Sequence, residues 1–352
     1  MQVEIDENPG FNMIYNKPQN IKVNKDEKLV SHYSSEKAIK KLWEKIQLVF
    51  KLPLINLNYI GRGGGSFIYE ANIKDKRNPL IIKVISDERF KNINEIKIMT
   101  KLRNHNIISI FGYYMNKNED EIIIMEKGKM DLKDFQINLL KRSVLSETFL
   151  CYVAYQVLEG LKHLYRCNII HYDIKPNNVV IDDFLNIKII DFSTSLDIGE
   201  IKDPYIKLKY RGTSFYMAPE VIKREKINSK DFHKIDLFSL GVMLYRLAFG
   251  YYPFNLSYDD ADNDEKILLK LNSDFKVENN ETEFSKYFID FLNCLLEKNI
   301  NKRININECL NHHWIKGAKL LMEEKENINN SNIFLTSLIT DNFIEFNEYI
   351  YN

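Results

Sequence analysis

Apolar positions change their rhythm twice along this chain. In EKAIKKLWEKIQLVF, Glu36 to Phe50, the residues Ile39, Leu42, Trp43, Ile46 and Phe50 recur at helical spacing, and Pro53 stands just past the end. That stripe predicts an amphipathic helix. Docking on the segment that follows is preferred over a membrane or partner role. From Asn56 to Glu126 the texture shortens to β-type runs, NLNYIG, SFIYEANI, PLIIKVI, IISIFGYY and EIIIME. One helical stretch interrupts them, ERFKNINEIKIMTKL, around Glu88 to Leu102. Beyond Asp131 helical spacing dominates, over Glu147 to Arg166, Phe232 to Phe249 and about Phe284 to Glu297. A sheet-rich part followed by a helix-rich part predicts an α+β chain of two lobes.

Both ends break the pattern. Residues 1 to about 33 are polar, rich in Asn and Lys and without a period, which predicts mostly irregular chain. From Lys319 the chain is rich in Asn and Glu, yet Leu335, Ile339, Phe343, Phe346 and Ile350 line one helical face. Packing of that face on the body is expected, since Asp341, Glu345 and Glu348 give it the wrong charge for a calmodulin target. The division that results is an N-terminal extension 1–50 with its helix near 36–50, a first lobe 51–128, a second lobe 129–318 and a C-terminal extension 319–352.

Composition narrows the function. The 352 residues are 45% hydrophobic and 28% charged, enough for a sizeable core. Lys+Arg and Asp+Glu are 49 each, so the basic excess of a general nucleic-acid binder is missing. Cys151, Cys167, Cys294 and Cys309 form no CxxC pair, which favours scattered reduced thiols over a disulfide frame or a zinc site. The start, MQVEIDENPG, has neither the charge nor the apolar run of a secretory signal, and no Gly follows Met1. The most membrane-like segment, Leu237 to Phe254, has Arg246 in its middle and Pro253 near its end, so a buried core helix is expected rather than a span. A soluble protein, cytoplasmic or else nuclear, is the expectation.

Candidate chemistry begins at IGRGGGSFIYEA, Ile60 to Ala71. Glycines between strands let backbone N–H groups approach phosphates, although a Gly cluster that joins strands is usually just a hairpin turn. Gly61 and Gly63 fit a GxGxxG pattern but Ser66 takes its last place, and the GK[ST] ending of a P-loop is missing. Lys83 sits mid-strand in LIIKVI, where a buried ammonium needs a partner; Glu95 on the next helix supplies a carboxylate. Between the apolar flanks of IIHYDIKPNNVVI, Asp173 could accept a proton from an attacking hydroxyl. Lys175 could neutralise a migrating phosphoryl group, and Asn178 could ligate magnesium. Asp191, closing NIKIID, would hold metal from the other side. These residue types suit phosphoryl transfer, which is mainly positioning and charge neutralisation.

At these residues the sequence resembles the eukaryotic protein kinases, from about Ile55 to Trp314. HYDIKPNN resembles the HRDLKPEN catalytic loop, IIDFS the DFG segment, GTSFYMAPE the P+1 loop and IDLFSLGV the start of helix αF; KNINKRININECLNHHWI resembles the closing segment. The resemblance implies a bilobal fold and an ATP- and Mg²⁺-dependent enzyme acting on proteins. It implies that Ile60, Gly61, Gly63, Ile68, Ile81 and Val180 line the nucleotide slot. Lys83 and Glu95 would hold the α/β-phosphates, and Met125 would be the gatekeeper. The Glu126 carbonyl and Gly128 N–H would meet the adenine edge. Asp173 would be the base, with Asn178 and Asp191 on Mg²⁺. Met99, Ile110, His171 and Phe192 would stack as a spine anchored by Asp236, and Glu220 would pair with Arg303. Lys175 with Thr213 points to the Ser/Thr branch.

Four departures carry information. Tyr172 replaces an arginine that in many members clamps an activation-loop phosphate, so phosphorylation at Ser195, Tyr205 or Tyr210 is not expected to be the main switch. Ser193 replaces the Gly of DFG, which predicts fewer flipped states. Ile81 replaces an Ala on the adenine roof, narrowing the slot. Asn177 and Arg246 stand where arginine-directed members carry Glu, which predicts acidic or neutral residues just upstream of the target hydroxyl. The leading reading is a protein Ser/Thr kinase, with a regulatory partner possible at either extension. A catalytically weak kinase fold serving as a scaffold is the alternative, and a small-molecule kinase is disfavoured by the P+1 segment.

Overall fold

A computed structural model describes residues 33–327, apart from 64, 77, 87–92, 117–118, 140–144, 200, 261–262 and 278–283. The expectations for residues 1–32, for the start of the helix near Glu88 and for the face Leu335 to Ile350 lie outside the described residues.

The first helix, α1 (Glu36–Phe50), forms where the apolar stripe predicts it. Ser35 Oγ accepts a hydrogen bond from Ala38 N–H at its start, and Lys51, left-handed at φ 53°, returns its N–H to Gln47 at its end. Five strands follow: β1 (Leu54–Gly63), β2 (Ser66–Ile73), β3 (Leu80–Ile85), β4 (Ile110–Tyr114) and β5 (Glu121–Glu126), with α2 (Ile93–Lys101) between β3 and β4. They make one antiparallel sheet in the order β1-β2-β3-β5-β4. The β4 run is shorter than its apolar sequence, because Ile107 instead bridges to Ile189 and Ile108 N–H bonds the Ile189 carbonyl.

Side chains alternate across this sheet. Ile68, Ile81, Ile85, Ile123 and Met125 face the main core. Phe67, Tyr69, Ile82, Val84, Ile122 and Ile124 face the other way, into a second core closed by Ile46 and Phe50 of α1. The strands read as unbroken apolar runs because both faces are covered, the outer one by the N-terminal extension. Tyr33 adds to that cover. Its ring stacks on Phe67 at 3.9 Å, and its carbonyl accepts a hydrogen bond from Tyr69 Oη at 2.9 Å.

The rest is mostly helical. A small sheet of β6 (Met130–Asp131), β8 (Val179–Ile181) and β9 (Ile187–Ile189) lies beside α3 (Glu147–Arg166); β7 (Ile169–Ile170) follows α3 and pairs with β10 (Leu196–Asp197). Next come α4 (His233–Phe249), α5 (Asp264–Asn272), α6 (Lys286–Leu295), α7 (Ile306–Asn311) and α8 (His313–Asn327). Helix α4 is buried nearly all round, which explains its membrane-like composition, and it stops at Gly250 with φ 81°. Among the described residues no helix is long and apolar enough to cross a membrane. Arg303 holds Glu220 through two nitrogens at 2.6 and 3.1 Å, as expected, and its guanidinium lies 4.8 Å from the Phe238 ring centre.

All four cysteines are free thiols. Folding does bring Cys294 within ligand distance of Asp290 and His312, a proximity that chain spacing did not show. His312 Nδ1 accepts the Trp314 N–H at 3.3 Å, which leaves the ring proton on Nε2 for Asp290 at 3.2 Å. Those bonds tie α6 to the start of α8 and use both ring nitrogens.

Candidate active site

The HYDIKPNN loop lies between β7 and β8, and its backbone is fixed from α4. The N–H groups of His171 and Tyr172 donate to the two oxygens of Asp236, at 2.8 and 2.9 Å. Tyr172 is thereby held at φ 69°, a left-handed conformation costly for a bulky residue. Its carbonyl faces Gly212, which at φ +99° passes so close that an added Cβ would lie 2.1 Å from that oxygen. Only glycine serves there, and it seats the GTSFYMAPE segment on the HYDIKPNN loop.

Asp173 is buried and well held. Oδ2 accepts from Lys175 Nζ at 2.6 Å and from Asn178 Nδ2 at 2.8 Å, and Oδ1 accepts from Thr213 Oγ1 at 2.7 Å. Lys175 also donates to Thr213 Oγ1 at 2.7 Å. A carboxylate has roughly four acceptor directions, so one remains for an entering hydroxyl. Asn178 spends its amide N–H groups on Asp173, which turns its oxygen away as a hard ligand.

On the sheet side, Lys83 reaches Glu95 Oε1 at 2.5 Å and Asp191 Oδ1 at 3.5 Å. Burial raises the Glu95 carboxyl, a trend that Lys83 opposes without overcoming. At Asp191 burial also pushes upward, but Lys83 and Ser193 outweigh it and hold the acid below the usual range. Asp191 thus stays anionic near neutrality. It is itself left-handed, at φ 63°. Ser193 is not among the left-handed residues, so in this conformation its backbone does not require glycine.

The remaining expected residues fall around this centre. Ile68, Ile81, Met125 and Val180 are buried in one cluster, with Ile60 packed against it. Gly61 pairs across the hairpin with Ile68 and Gly63 with Ser66, while Gly128 is buried just past β5. His171 and Phe192 meet edge to face at 5.0 Å, Met99 is buried and Ile110 partly so. Tyr172 is buried where the family pattern has a cation, and burial pushes its phenol up to about 12. Of the three candidate modification sites, Ser195 is buried with Oγ on the His171 carbonyl, and Tyr210 donates to Asp264 at 2.7 Å. Tyr205 is half exposed, and its strand Tyr205–Lys207 pairs with Lys226–Asn228. That pairing anchors the activation segment by backbone bonds.

One buried ion pair beside the site escaped the sequence reading. Lys188, on β9, is fully buried 3.0 Å from Glu126 Oε1, while Glu126 Oε2 accepts the Ser109 N–H at 2.9 Å. Burial raises the Glu126 carboxyl against the pull of Lys188. The side chain of Glu126 therefore braces the strand from below, apart from any contact of its carbonyl. The signal was in view: Lys188 sits between isoleucines in NIKIID as Lys83 does in LIIKVI. Next to it, Lys127 pairs with Glu70 of β2.

The sequence is similar to that of known proteins. A family described as the protein kinase domain matches residues 54–315. Serine/threonine-protein kinase D3 of Mus musculus is 28% identical over 277 residues, which cover 76% of this chain and 30% of that protein. The chain therefore matches only a minor part of that relative's length. The family match takes in the five-stranded sheet, the catalytic loop and the helices that close the larger lobe, and on it the chain belongs to the protein kinase family.

Proposed function

We propose that this chain transfers the γ-phosphoryl group of ATP, with Mg²⁺, to Ser or Thr hydroxyls of proteins. The observation that carries the reading is Asp173, oriented by three hydrogen bonds while Lys83 spans Glu95 and Asp191. Asp173 would take the proton of the entering hydroxyl. Lys175, tied to both Asp173 and Thr213, would offset charge on the transferred group. The oxygens of Asn178 and Asp191 form a donor set that suits a small divalent cation, which when bound screens the phosphates. Lys83 would hold the donor phosphates, Ile60, Ile68, Ile81, Met125 and Val180 would enclose the base, and the Glu126 carbonyl and Gly128 N–H would meet its edge. Protein substrates follow from the family, and the Lys175–Thr213 contact at 2.7 Å supports the Ser/Thr assignment.

The lobes are placed at 51–128 and 129–318 in this reading, and the extensions are sites for a regulatory partner. A cytoplasmic or nuclear setting belongs to the same proposal, since four free thiols suit a reducing compartment. Transfer of radiolabel from ATP to protein and peptide acceptors tests the proposal, with Asp173→Asn as the control. Turnover in the parent and its loss in the variant, at equal thermal stability, is expected. Label transfer that survives in Asp173→Asn would sink it, as would a parent inert toward every acceptor.

A further inference from the structure

A cavity of about 310 Å³ opens beside the catalytic cluster and shares Lys175 and Thr213 with it. Its wall continues through Asn177, Lys133, Arg246 and Tyr252, and none of the residues lining it is an Asp or Glu. We propose that this cavity binds an anionic side chain of the acceptor protein, two or three residues along the chain from the Ser or Thr that is phosphorylated. The inference rests on the reading of Asp173 as the residue that faces the acceptor hydroxyl.

Reach comes first. A peptide that delivers a hydroxyl to Asp173 must lie extended over the neighbouring surface, and each residue advances it about 3.3 Å. The cavity begins at Lys175, whose ammonium is 2.6 Å from Asp173, so a side chain a few residues away falls into it.

Charge decides what enters. Arg246 projects from α4 into the wall, where one of its nitrogens donates to the Gly250 carbonyl and its guanidinium lies 5.3 Å from the Tyr252 ring centre. Those contacts fix its direction and leave other N–H donors of the guanidinium available. Among the described residues no carboxylate lies within ion-pair distance of it. Lys133 adds a second cation from the turn after β6.

The nearby carboxylates are committed elsewhere. Asp131 is buried, with Oδ1 on the Asp134 N–H at 2.8 Å and Oδ2 on Asn177 Nδ2 at 3.3 Å. Asp134 sits beside Lys133, outside the lining, and Asp173 is neutralised by Lys175. An arginine or lysine of a substrate would thus meet two like charges and no acceptor carboxylate. A carboxylate or phosphate would meet a guanidinium and an ammonium, with Tyr252 and Tyr258 in the same wall.

Fluorescence polarisation of labelled peptides tests the site without turnover. The set carries Ala at the acceptor position and places Glu, phosphoserine, Gln or Lys at each position from four before to four after it. At one or two neighbouring positions the anionic peptides should bind about tenfold tighter than the Lys peptides. Arg246→Glu and, separately, Lys133→Glu should each invert that order, with unchanged melting temperature. The same set with Ser acceptors then reads phosphorylation. An anion preference in binding without any label transfer would keep this site and overturn the catalytic proposal. Label transfer with equal binding of Glu, Gln and Lys peptides, or a preference that both charge reversals leave intact, would overturn the site and keep the catalyst. Phosphoserine above Glu would assign a pre-phosphorylated substrate, and parity of the two a merely acidic one; both outcomes support the site.

Discussion

Lys188→Met should destabilise the protein more than any exposed lysine change. The ammonium is 1% exposed and its partner Glu126 is 0% exposed, so water cannot replace the lost contact. At their separation of 3.0 Å and an effective dielectric constant of about 20, the attraction is about 5.5 kcal/mol. Breaking a buried pair on one side costs roughly 3–5 kcal/mol, because the partner charge is stranded. For a domain of this size that is a fall in melting temperature of about 6–20 °C. Glu126→Gln in the same background should recover at least about 2 kcal/mol, since the amide oxygen still accepts the Ser109 N–H and no charge is left buried. The pH dependence has a definite sign. Burial already raises the Glu126 carboxyl, and loss of Lys188 raises it further. A group raised on folding stabilises fully below its unfolded pKa, about 4.3, and that contribution is lost as pH rises through the folded value. The deficit of Lys188→Met should therefore be smallest in acid and widen toward neutrality. Thermal unfolding of the parent, both single variants and the double variant, from pH 5 to 8, measures all of this. A deficit below about 1 kcal/mol that does not vary with pH, or a double variant no better than Lys188→Met, would refute the reasoning.

Other outcomes follow from the same structure. Phe50→Ala empties a fully packed place where the end of α1 meets the sheet and should cost about 3–5 kcal/mol in chemical denaturation, which distinguishes a docked extension from a loosely tethered one. Ile81→Ala should lower the apparent KM for ATP while reducing stability, because Ile81 and Val180 are both buried in the cluster proposed to enclose the base; an unchanged or higher KM would remove Ile81 as the narrowing residue. His233, set against the Tyr165 ring at 4.5 Å, is pushed by burial down to about 4. Its neutral form stabilises fully above about pH 6.5, and up to about 3 kcal/mol is lost as pH falls toward 4. His233→Phe should flatten the melting-temperature profile across that window, and an unaltered profile would show that another group sets the acid sensitivity.

Much of this molecule is legible in the sequence, for local reasons. Helix α1 and strands β2 and β5 have the bounds that hydrophobic spacing predicts, because burial on one helical face or on both sheet faces dictates residue type position by position. The pairing of Lys83 with Glu95 is legible too, since a charged group inside an apolar run needs a partner. Partners across long separations are not written locally. Nothing near Lys188 names Glu126, and nothing near Glu147 shows that its carboxylate accepts from Ser285 and from the Trp314 indole at 2.9 Å. The arginine at 246 states a charge, but only the fold sets it in one wall with Lys133 and beside Lys175. Which face of the sheet meets the extension, and which of Ser195, Tyr205 and Tyr210 meets solvent, were likewise decided by tertiary packing. Residue type fixes what a side chain needs, whereas the closing of long loops on one another fixes which distant group supplies it.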